Sequence, residues 1–515
     1  MTDRPTDESR LRLHAVFALV LIIQLCPIWF TTYPPLHDYP NHLARIQILH
    51  QYGESESYRS TYELDWRLFP NLAMDLIVPP LLNVFSVETA SKMFLSLIVV
   101  LFNVGMQALS AAIHGRPHWS ALAASFFTYH YAFSYGFVNY IFGLGTFFLT
   151  LAIWLRWRAE WTAARLMLVG AFTLLCYFSH LSSFVFLAIA IACVTVLDSW
   201  RYRDFHTHRL LGLLPLVPSL LVYGIYSVGL DHHGRMEWWP PLIMRKLAGF
   251  TYPFLSHDPW VDLALGAAFC AIILILLVSR TGRLTGAELI VIGSVFVFLY
   301  LIFPMSAALT HYVDRRFIIP AVVLLVLAVR IDLSKALGRY LTIGLLLLSI
   351  ARTGAVWTFW SGASRDLEAQ VHALDLLPDG AKLYPMLMYE NGSSSWFHTA
   401  HFYFASHYAT IYRHAFVPTI YAQNGVHPLR LRRSFQANDV QLHRGPRLDG
   451  ENWDNDFAWI ERGTPLERVK WPALFSKYDY VWGYRLSEDF TRFLLSQGQL
   501  VARTGEAVLV RVRKA

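Results

Sequence analysis

The segment Tyr33-Pro34-Pro35-Leu36-His37-Asp38-Tyr39-Pro40-Asn41-His42-Leu43-Ala44-Arg45 follows directly on the first apolar stretch, residues 13–31. It holds a carboxylate, two imidazoles and a guanidinium at a membrane surface. A carboxylate fixed there can take the proton of a hydroxyl, and a guanidinium can pair with a phosphate in a fork. The first loop of a polytopic chain is usually a connector, but this one occupies residues 32–87 and carries Pro-rich and amphipathic pieces of its own. Pro40 suits the first turn of a helix, and Leu43, Ile46 and Leu49 recur at helical spacing while His42, Arg45 and His50 take other faces. That pattern predicts a helix over 40–51 lying in the interface, with Asp38 just ahead of it. The plainer alternative makes Asp38 an N-cap and leaves His42 and Arg45 to lipid headgroups.

The elements that must position these groups are membrane spans. Of 515 residues, 55% are hydrophobic and 15% charged, and the apolar residues cluster into blocks of the length that crosses a hydrocarbon core. After the first block come 88–113, 118–138, 141–157, 164–179, 183–197, 210–228, 261–278, 287–303, 317–329 and 340–360, giving a mostly α, polytopic helix bundle of about eleven spans. The block 118–138 is the weakest, diluted by Tyr129, His130, Tyr131 and Tyr135. The first block is too long for a signal-peptide core and no small-x-small site follows it, so it reads as a retained anchor.

Lys and Arg orient the bundle. Arg4, Arg10 and Arg12 precede the first block, and Arg116, Arg156, Arg158, Arg165, Arg201, Arg203, Arg209, Arg280, Arg283, Arg330, Lys335 and Arg339 fall in alternate connections, which are therefore cytoplasmic. Facing out are the Asp38 loop, the turn at His180, the stretches 231–260 and 305–316, and everything after Trp360. Much of the net charge of +7 thus serves topology, and no nucleic-acid partner is implied. Two domains follow: a transmembrane domain over 1–360 and a soluble periplasmic α/β domain over 361–515, with strands at 381–388, 478–484 and 500–513 and helices at 366–377 and 486–496. All four cysteines, Cys26, Cys176, Cys193 and Cys270, lie in predicted spans, so the outer domain has no disulfide and no CxxC zinc motif exists. Asp231-His232-His233 and His257-Asp258 have ligand-like types but no helical i,i+4 spacing or third ligand, and read as ordinary polar loop residues.

Further along, Pro79-Pro80-Leu81 precedes Glu88-Thr89-Ala90-Ser91-Lys92 at the mouth of the second block, and His311-Tyr312-Val313-Asp314-Arg315-Arg316 leads into a late block. With Asp38, these elements in this order resemble the GT-C superfamily of membrane glycosyltransferases, in particular bacterial members similar to protein O-mannosyltransferases and aminoarabinose transferases. The resemblance covers the transmembrane part as architecture and rests on short motifs. It implies a multi-pass enzyme of the bacterial inner membrane that moves a sugar from a polyprenyl-phosphate donor to a glycan, lipid or protein acceptor at the outer face, by a single inverting displacement. In that chemistry the spans offer an apolar groove for the lipid tail, Asp38 takes the acceptor's proton, and Arg315, Arg316, His42 and Arg45 hold the donor phosphate. Lys92, His180, His311, Tyr312 and Asn139 line the substrate. The family usually has Arg where Lys92 stands and often a second acidic residue where Asn139 stands. Asn139 brings no charge to a metal, so no cofactor is assigned and a divalent cation is left open.

Two rivals come from other classes. A transporter or flippase of a lipid-linked or soluble solute conflicts with the near absence of charge in mid-span, the lack of a repeated half and the outer domain. A polysaccharide polymerase or ligase also handles polyprenyl carriers, but only the glycosyltransferase reading needs Asp38. Each candidate has a plain reading as well: Arg315 and Arg316 as snorkelling cations, His180 as a satisfied turn residue, the tyrosines as an interfacial belt.

Overall fold

Uncharged runs of Leu, Ile, Val and Phe close their own backbone hydrogen bonds as helices, the form a lipid environment demands. A computed structural model describes residues 7–203, 210–228, 236–238, 240–307, 310–389, 400–436, 459–469 and 471–513. Its principal helices are α1 (Asp7–Trp29), α2 (Tyr39–Gln51), α3 (Ala73–Leu81), α4 (Val87–His114), α5 (Val138–Trp157), α6 (Ala163–Ser179), α7 (Leu181–Tyr202), α8 (Pro259–Val278), α9 (Ala287–Ile302), α10 (Arg315–Leu327) and α11 (Ala336–Leu374). Among the described residues, six stretches are long and apolar enough to cross a membrane: Leu11–Trp29 within α1, and α4, α5, α7, α8 and α11. The helices α6 and α9 and the stretch Leu211–Ser227 are apolar but shorter. The polytopic helical architecture expected from hydropathy is present.

Two of the expected blocks differ. Residues 118–138 do not form one helix but break into Trp119–Ala124, a 3-10 turn at Ser125–Phe127 and Tyr131–Ser134. Polar side chains of other helices hold it in this form. Gln24 on α1 donates to the Ser125 carbonyl at 2.8 Å, and Asn103 on α4 donates to Gln24 at 3.0 Å and to Thr128 at 3.1 Å. Arg352 on α11 donates twice to the Tyr129 carbonyl, at 3.2 and 2.6 Å. Irregular backbone persists here because it is buried in protein and its groups are satisfied. The block 317–329 is the second departure: α10 has 13 residues, with Pro320 inside it, and reaches only about 20 Å.

Arg352 is an exception within the near absence of charge expected in mid-span. Its Nη1 pairs with Asp262 of α8 at 3.2 Å, and both side chains are almost fully inaccessible. Asp262 accepts in addition from the Ser256 backbone N–H and hydroxyl. Carboxylate and guanidinium therefore end on fixed partners of the fold.

The chain falls into two compact units. One comprises residues 1–29, 68–74 and 93–358, and the other 30–67, 75–92 and 359–515. The second holds a five-stranded mixed sheet of β1 (Leu383–Tyr389), β2 (Trp459–Glu461), β3 (Tyr480–Tyr484), β4 (Gly498–Thr504) and β5 (Ala507–Val512) in the order β4-β5-β3-β1-β2. The strand β1 runs parallel to β2 and β3, while β5 is antiparallel to β3 and β4. The expected strand at 500–513 is thus a hairpin, turned at Gly505, whose φ of +56° suits a residue without a Cβ. The helix expected at 366–377 is the end of α11, which passes through Trp360 without a break.

Candidate functional site

In the unit that contains the first loop, α2 is not an amphipathic surface helix. Tyr39, Pro40, Asn41, His42, Leu43, Ala44, Arg45, Ile46 and Ile48 are all buried, polar faces included. Each polar group must therefore find a partner inside the protein. Asn41 donates to the Thr419 carbonyl at 2.7 Å and accepts from the Tyr421 backbone N–H at 2.7 Å, which fixes the chain at 419–421 against the helix. Arg45 places its fork on Asp75 of α3, at 2.6 Å from Nε and 3.0 Å from Nη2, with both side chains fully buried. Its Nη2 also lies 3.1 Å from His42 Nδ1. Burial first, and the Arg45 charge second, hold the His42 imidazole well below its ordinary value, so the ring is neutral at pH 7.

Asp38 stands at the N-cap position, but its side chain makes no capping bond and its backbone is helical. The carboxylate instead meets His37 Nδ1 at 2.6 Å, with the Tyr421 phenol nearby. The plain N-cap reading is therefore ruled out by geometry. The His37 ring lies against Tyr403 and Phe404, with centroids 5.2 and 5.1 Å away. Lys92 follows Glu88 by one turn on α4, and Glu88 accepts a hydrogen bond from the Tyr412 hydroxyl.

In the other unit, a second cluster forms at the start of α10. Asp314 accepts from the Arg315 backbone N–H at 2.8 Å and from Lys246 Nζ at 2.6 Å. Lys246 completes its donors on the carbonyls of Tyr300 and Phe303, both at 2.8 Å. The helix start is thereby pinned. Arg315 lies over the rings of Tyr312 at 4.3 Å, Tyr252 at 4.4 Å and Tyr131 at 5.6 Å, and donates to the Tyr131 hydroxyl at 2.9 Å. Among the described residues no carboxylate lies within ion-pair distance of its guanidinium. Tyr312 adopts a φ of +58°, a conformation costly for an aromatic residue. That strain accompanies the placement of its ring over Arg315.

Arg316 points elsewhere, as adjacent helical residues must. Its guanidinium lies over Phe137 and Tyr140, and its Nη1 is 3.0 Å from His180 Nε2. His180 uses Nδ1 to accept from the Ser182 backbone N–H at 3.0 Å, capping α7. Burial and the Arg316 charge keep this imidazole neutral, and a neutral ring that accepts at Nδ1 carries its proton on Nε2. The guanidinium and the imidazole thus meet directly, Nη1 against Nε2. His311 adds a hydrogen bond between Nδ1 and Ser306 Oγ at 2.8 Å and offers its carbonyl to Arg316 Nη2 at 3.5 Å.

Of the residues singled out in the sequence, Arg315, Arg316, His180, His311 and Tyr312 come together in this cluster. Asp38, His42 and Arg45 come together in the other unit, where His42 and Arg45 face each other and Asp75, and the buried Arg45 Nη1 has no hydrogen-bond partner among the described residues. Asn139 joins neither cluster. Its Oδ1 accepts from the Met74 N–H at 2.8 Å and its Nδ2 donates to the Asn71 carbonyl at 2.9 Å, so the amide anchors the start of α3. Asn139→Ala leaves both backbone groups without their partner, and thermal unfolding in detergent is expected to show a loss of about 1–3 kcal/mol with donor affinity unchanged. An unchanged melting curve would return Asn139 to a substrate role. His257 and Asp258 also serve the fold: the His257 ring meets Ser134 at 3.3 Å and Asp258 caps α8. Asp231-His232-His233 lies outside the described residues.

Sequence reading missed Asp75, Tyr421, Tyr131, Tyr252 and Lys246. Asp75 carried a signal, as a lone carboxylate in an apolar helix must be matched by a buried cation. The tyrosines carried none, being ordinary interfacial residues until the fold sets them against a guanidinium.

Comparison by sequence finds no matching family model and no matching curated protein. By fold, the chain is similar to the crystal structure of ArnT from Cupriavidus metallidurans in the apo state, with a TM-score of 0.53 and 10% identity over 99% of each chain. At that identity the likeness shows the fold alone.

Proposed function

We propose that this chain is a glycosyltransferase of the bacterial inner membrane that moves a sugar from a polyprenyl-phosphate donor to a hydroxyl acceptor at the outer face. The observation that carries the reading is the cluster at the start of α10. It combines a guanidinium among tyrosines, with no carboxylate at ion-pair distance among the described residues, and a second guanidinium set directly against a neutral histidine. Such a cluster suits a phosphate on which negative charge develops. In the step proposed, the acceptor oxygen attacks the anomeric carbon, the bond from that carbon to the phosphate oxygen breaks, and the phosphate leaves with the electron pair. Arg315, Arg316 and His180 stabilise the departing charge, and His311 and Tyr312 shape the cluster. The hydroxyl proton goes to the centre built on Asp38. Lys92 stays assigned to the substrate, whereas Arg45 and His42 support α2 rather than hold phosphate. No sugar or acceptor is specified. The orientation that fits has a cytoplasmic N-terminus and the segment after Trp360 outside.

The transporter reading would look to the intramembrane pair Asp262–Arg352, but its bonds to Ser256 and the Tyr129 carbonyl tie it to the fold. The test is turnover of a panel of polyprenyl-phosphate-linked sugars in detergent, read as release of polyprenyl phosphate. Arg316→Lys is expected to lose about 10–100-fold, because an ammonium cannot share a phosphate with His180 in fork geometry and a charged hydrogen bond contributes roughly 1.5–3 kcal/mol. Arg315→Lys should lose less, since an ammonium also sits well over aromatic faces. Full activity in both Ala variants removes the clamp. No turnover of any donor by the wild type removes the function.

A further inference from the structure

Glu88, in the first turn of α4, is a half-buried carboxylate that has a hydrogen bond but no counter-charge. The Tyr412 hydroxyl donates to its Oε1, and the Tyr33 hydroxyl, 3.5 Å from that of Tyr412, donates in turn to the Tyr412 oxygen. Among the described residues no Lys, Arg or His nitrogen lies within ion-pair distance of Glu88, and Lys92, one turn later, acts on it only from further away. The rings that carry these hydroxyls pack on Tyr408. Tyr33 meets it edge-on with centroids 4.9 Å apart, and Tyr412 lies nearly parallel to it at 6.2 Å. The Tyr408 hydroxyl is wholly buried, within electrostatic reach of Tyr39, Tyr33 and Glu88, and has no hydrogen-bond partner among the described residues. Burial first, then the neighbouring groups with Glu88 among them, hold the Tyr408 and Tyr412 phenols well above their ordinary value, so both stay neutral. A half-buried carboxylate without a cation and a buried hydroxyl without a partner are both costly, and one ligand group can relieve both.

The two deficits select the ligand. A sugar or water hydroxyl would bond to these oxygens but leave the carboxylate charge unmatched. A quaternary ammonium would match the charge and sit well against the rings, but it has no N–H for a phenol oxygen. A primary ammonium does both, with three N–H donors for the carboxylate and the phenols and a positive charge for the aromatic faces. We propose that Glu88, Tyr33, Tyr408 and Tyr412 bind a primary ammonium group, and that its bearer is the headgroup of an ethanolamine phospholipid. Place favours a lipid over a soluble amine. Val84 and Phe85, just ahead of α4, leave their apolar side chains exposed, and α4 is long and apolar enough to cross a membrane. Glu88 therefore stands where the chain enters the apolar layer, at the depth of lipid headgroups, with exposed apolar side chains ahead of it to meet acyl chains. Such a lipid site operates whether or not the chain transfers sugar.

Native mass spectrometry of the full chain in detergent, titrated with phosphatidylethanolamine, phosphatidylcholine and phosphatidylglycerol of identical acyl chains, tests this. The wild type is expected to retain the ethanolamine lipid more tightly than either of the others, by about tenfold or more. Glu88→Gln keeps an oxygen for the Tyr412 hydroxyl and should lower that affinity by about 10–100-fold, the span of a charged hydrogen bond. Tyr408→Phe removes a hydroxyl that has no partner in the lipid-free protein. It should leave the melting temperature unchanged or slightly raised while weakening the ethanolamine lipid about 2–10-fold. A lowered melting temperature with the lipid preference intact would mark Tyr408 as structural and overturn its part in the site. Equal retention of the three lipids by the wild type, or an ethanolamine preference that survives Glu88→Gln, overturns the site as a whole. Glycerophosphoethanolamine, which has the headgroup without acyl chains, separates the two sources of an ammonium group. It should displace the lipid only at far higher concentration, and displacement at the lipid's own concentration overturns the assignment to a membrane lipid.

Discussion

Asp38→Asn is expected to reduce sugar transfer by on the order of 10²–10⁴ while leaving the amount of folded protein unchanged. The carboxylate makes no bond to the amides of α2, so removing its charge does not uncap the helix. What it does remove is the negative charge beside His37 Nδ1. An asparagine oxygen still accepts a hydrogen bond from the ring, but it cannot take up a proton, so the loss falls on kcat. Turnover of a polyprenyl-phosphate sugar by purified variant, set beside its melting temperature, checks this. Near wild-type turnover would exclude Asp38 from the chemistry, and a large drop in melting temperature would mark it as structural.

The second large effect concerns stability. Asp75→Ala strands the Arg45 guanidinium in a site where both side chains are wholly inaccessible. Breaking a buried pair from one side costs about 3–5 kcal/mol, because the remaining charge keeps its desolvation penalty without the Coulomb gain. Thermal unfolding in detergent should show the loss clearly. Adding Arg45→Leu to Asp75→Ala should recover most of it, since the double variant buries no unpaired charge. Recovery is the decisive part. A double variant no more stable than Asp75→Ala alone would mean that Arg45 contributes through His42 and packing rather than through its charge.

These two residues also show where reading the chain succeeds and where it stops. Asp38 stands out in one dimension because it follows an apolar block, and Arg315 and Arg316 because two cations on the expected outer side run against the positive-inside bias. Helical periodicity marks α2 nearly to the residue. The same periodicity gives no sign that α2 is enclosed on every side, because enclosure depends on residues such as Tyr421 and Asp75 that lie far away in the chain. His37 looks like one polar neighbour among several until its distance to Asp38 is known. The broken segment after His118 is the clearest failure of hydropathy: the averaged signal registers Tyr129 and His130 as dilution, whereas Gln24, Asn103 and Arg352 each supply a partner from another helix. Asn139 was legible as a departure from a family pattern, but its use as an anchor for the backbone at Asn71 and Met74 was not.

The ion pair between Asp262 and Arg352 has a consequence for biosynthesis. The two residues are 90 positions apart, and the helix bearing the acid is synthesised first. During that interval α8 has its serine partner near the membrane but no cation, and an acidic residue in a helix entering lipid is held there at a cost. The charge is matched only when α11 arrives, bringing Arg352 to the carboxylate and to the Tyr129 carbonyl together. Closure of this bundle is therefore a late event that waits for its last long span, and a nascent chain released before Ala336 carries an acid in α8 that its own sequence has not yet neutralised.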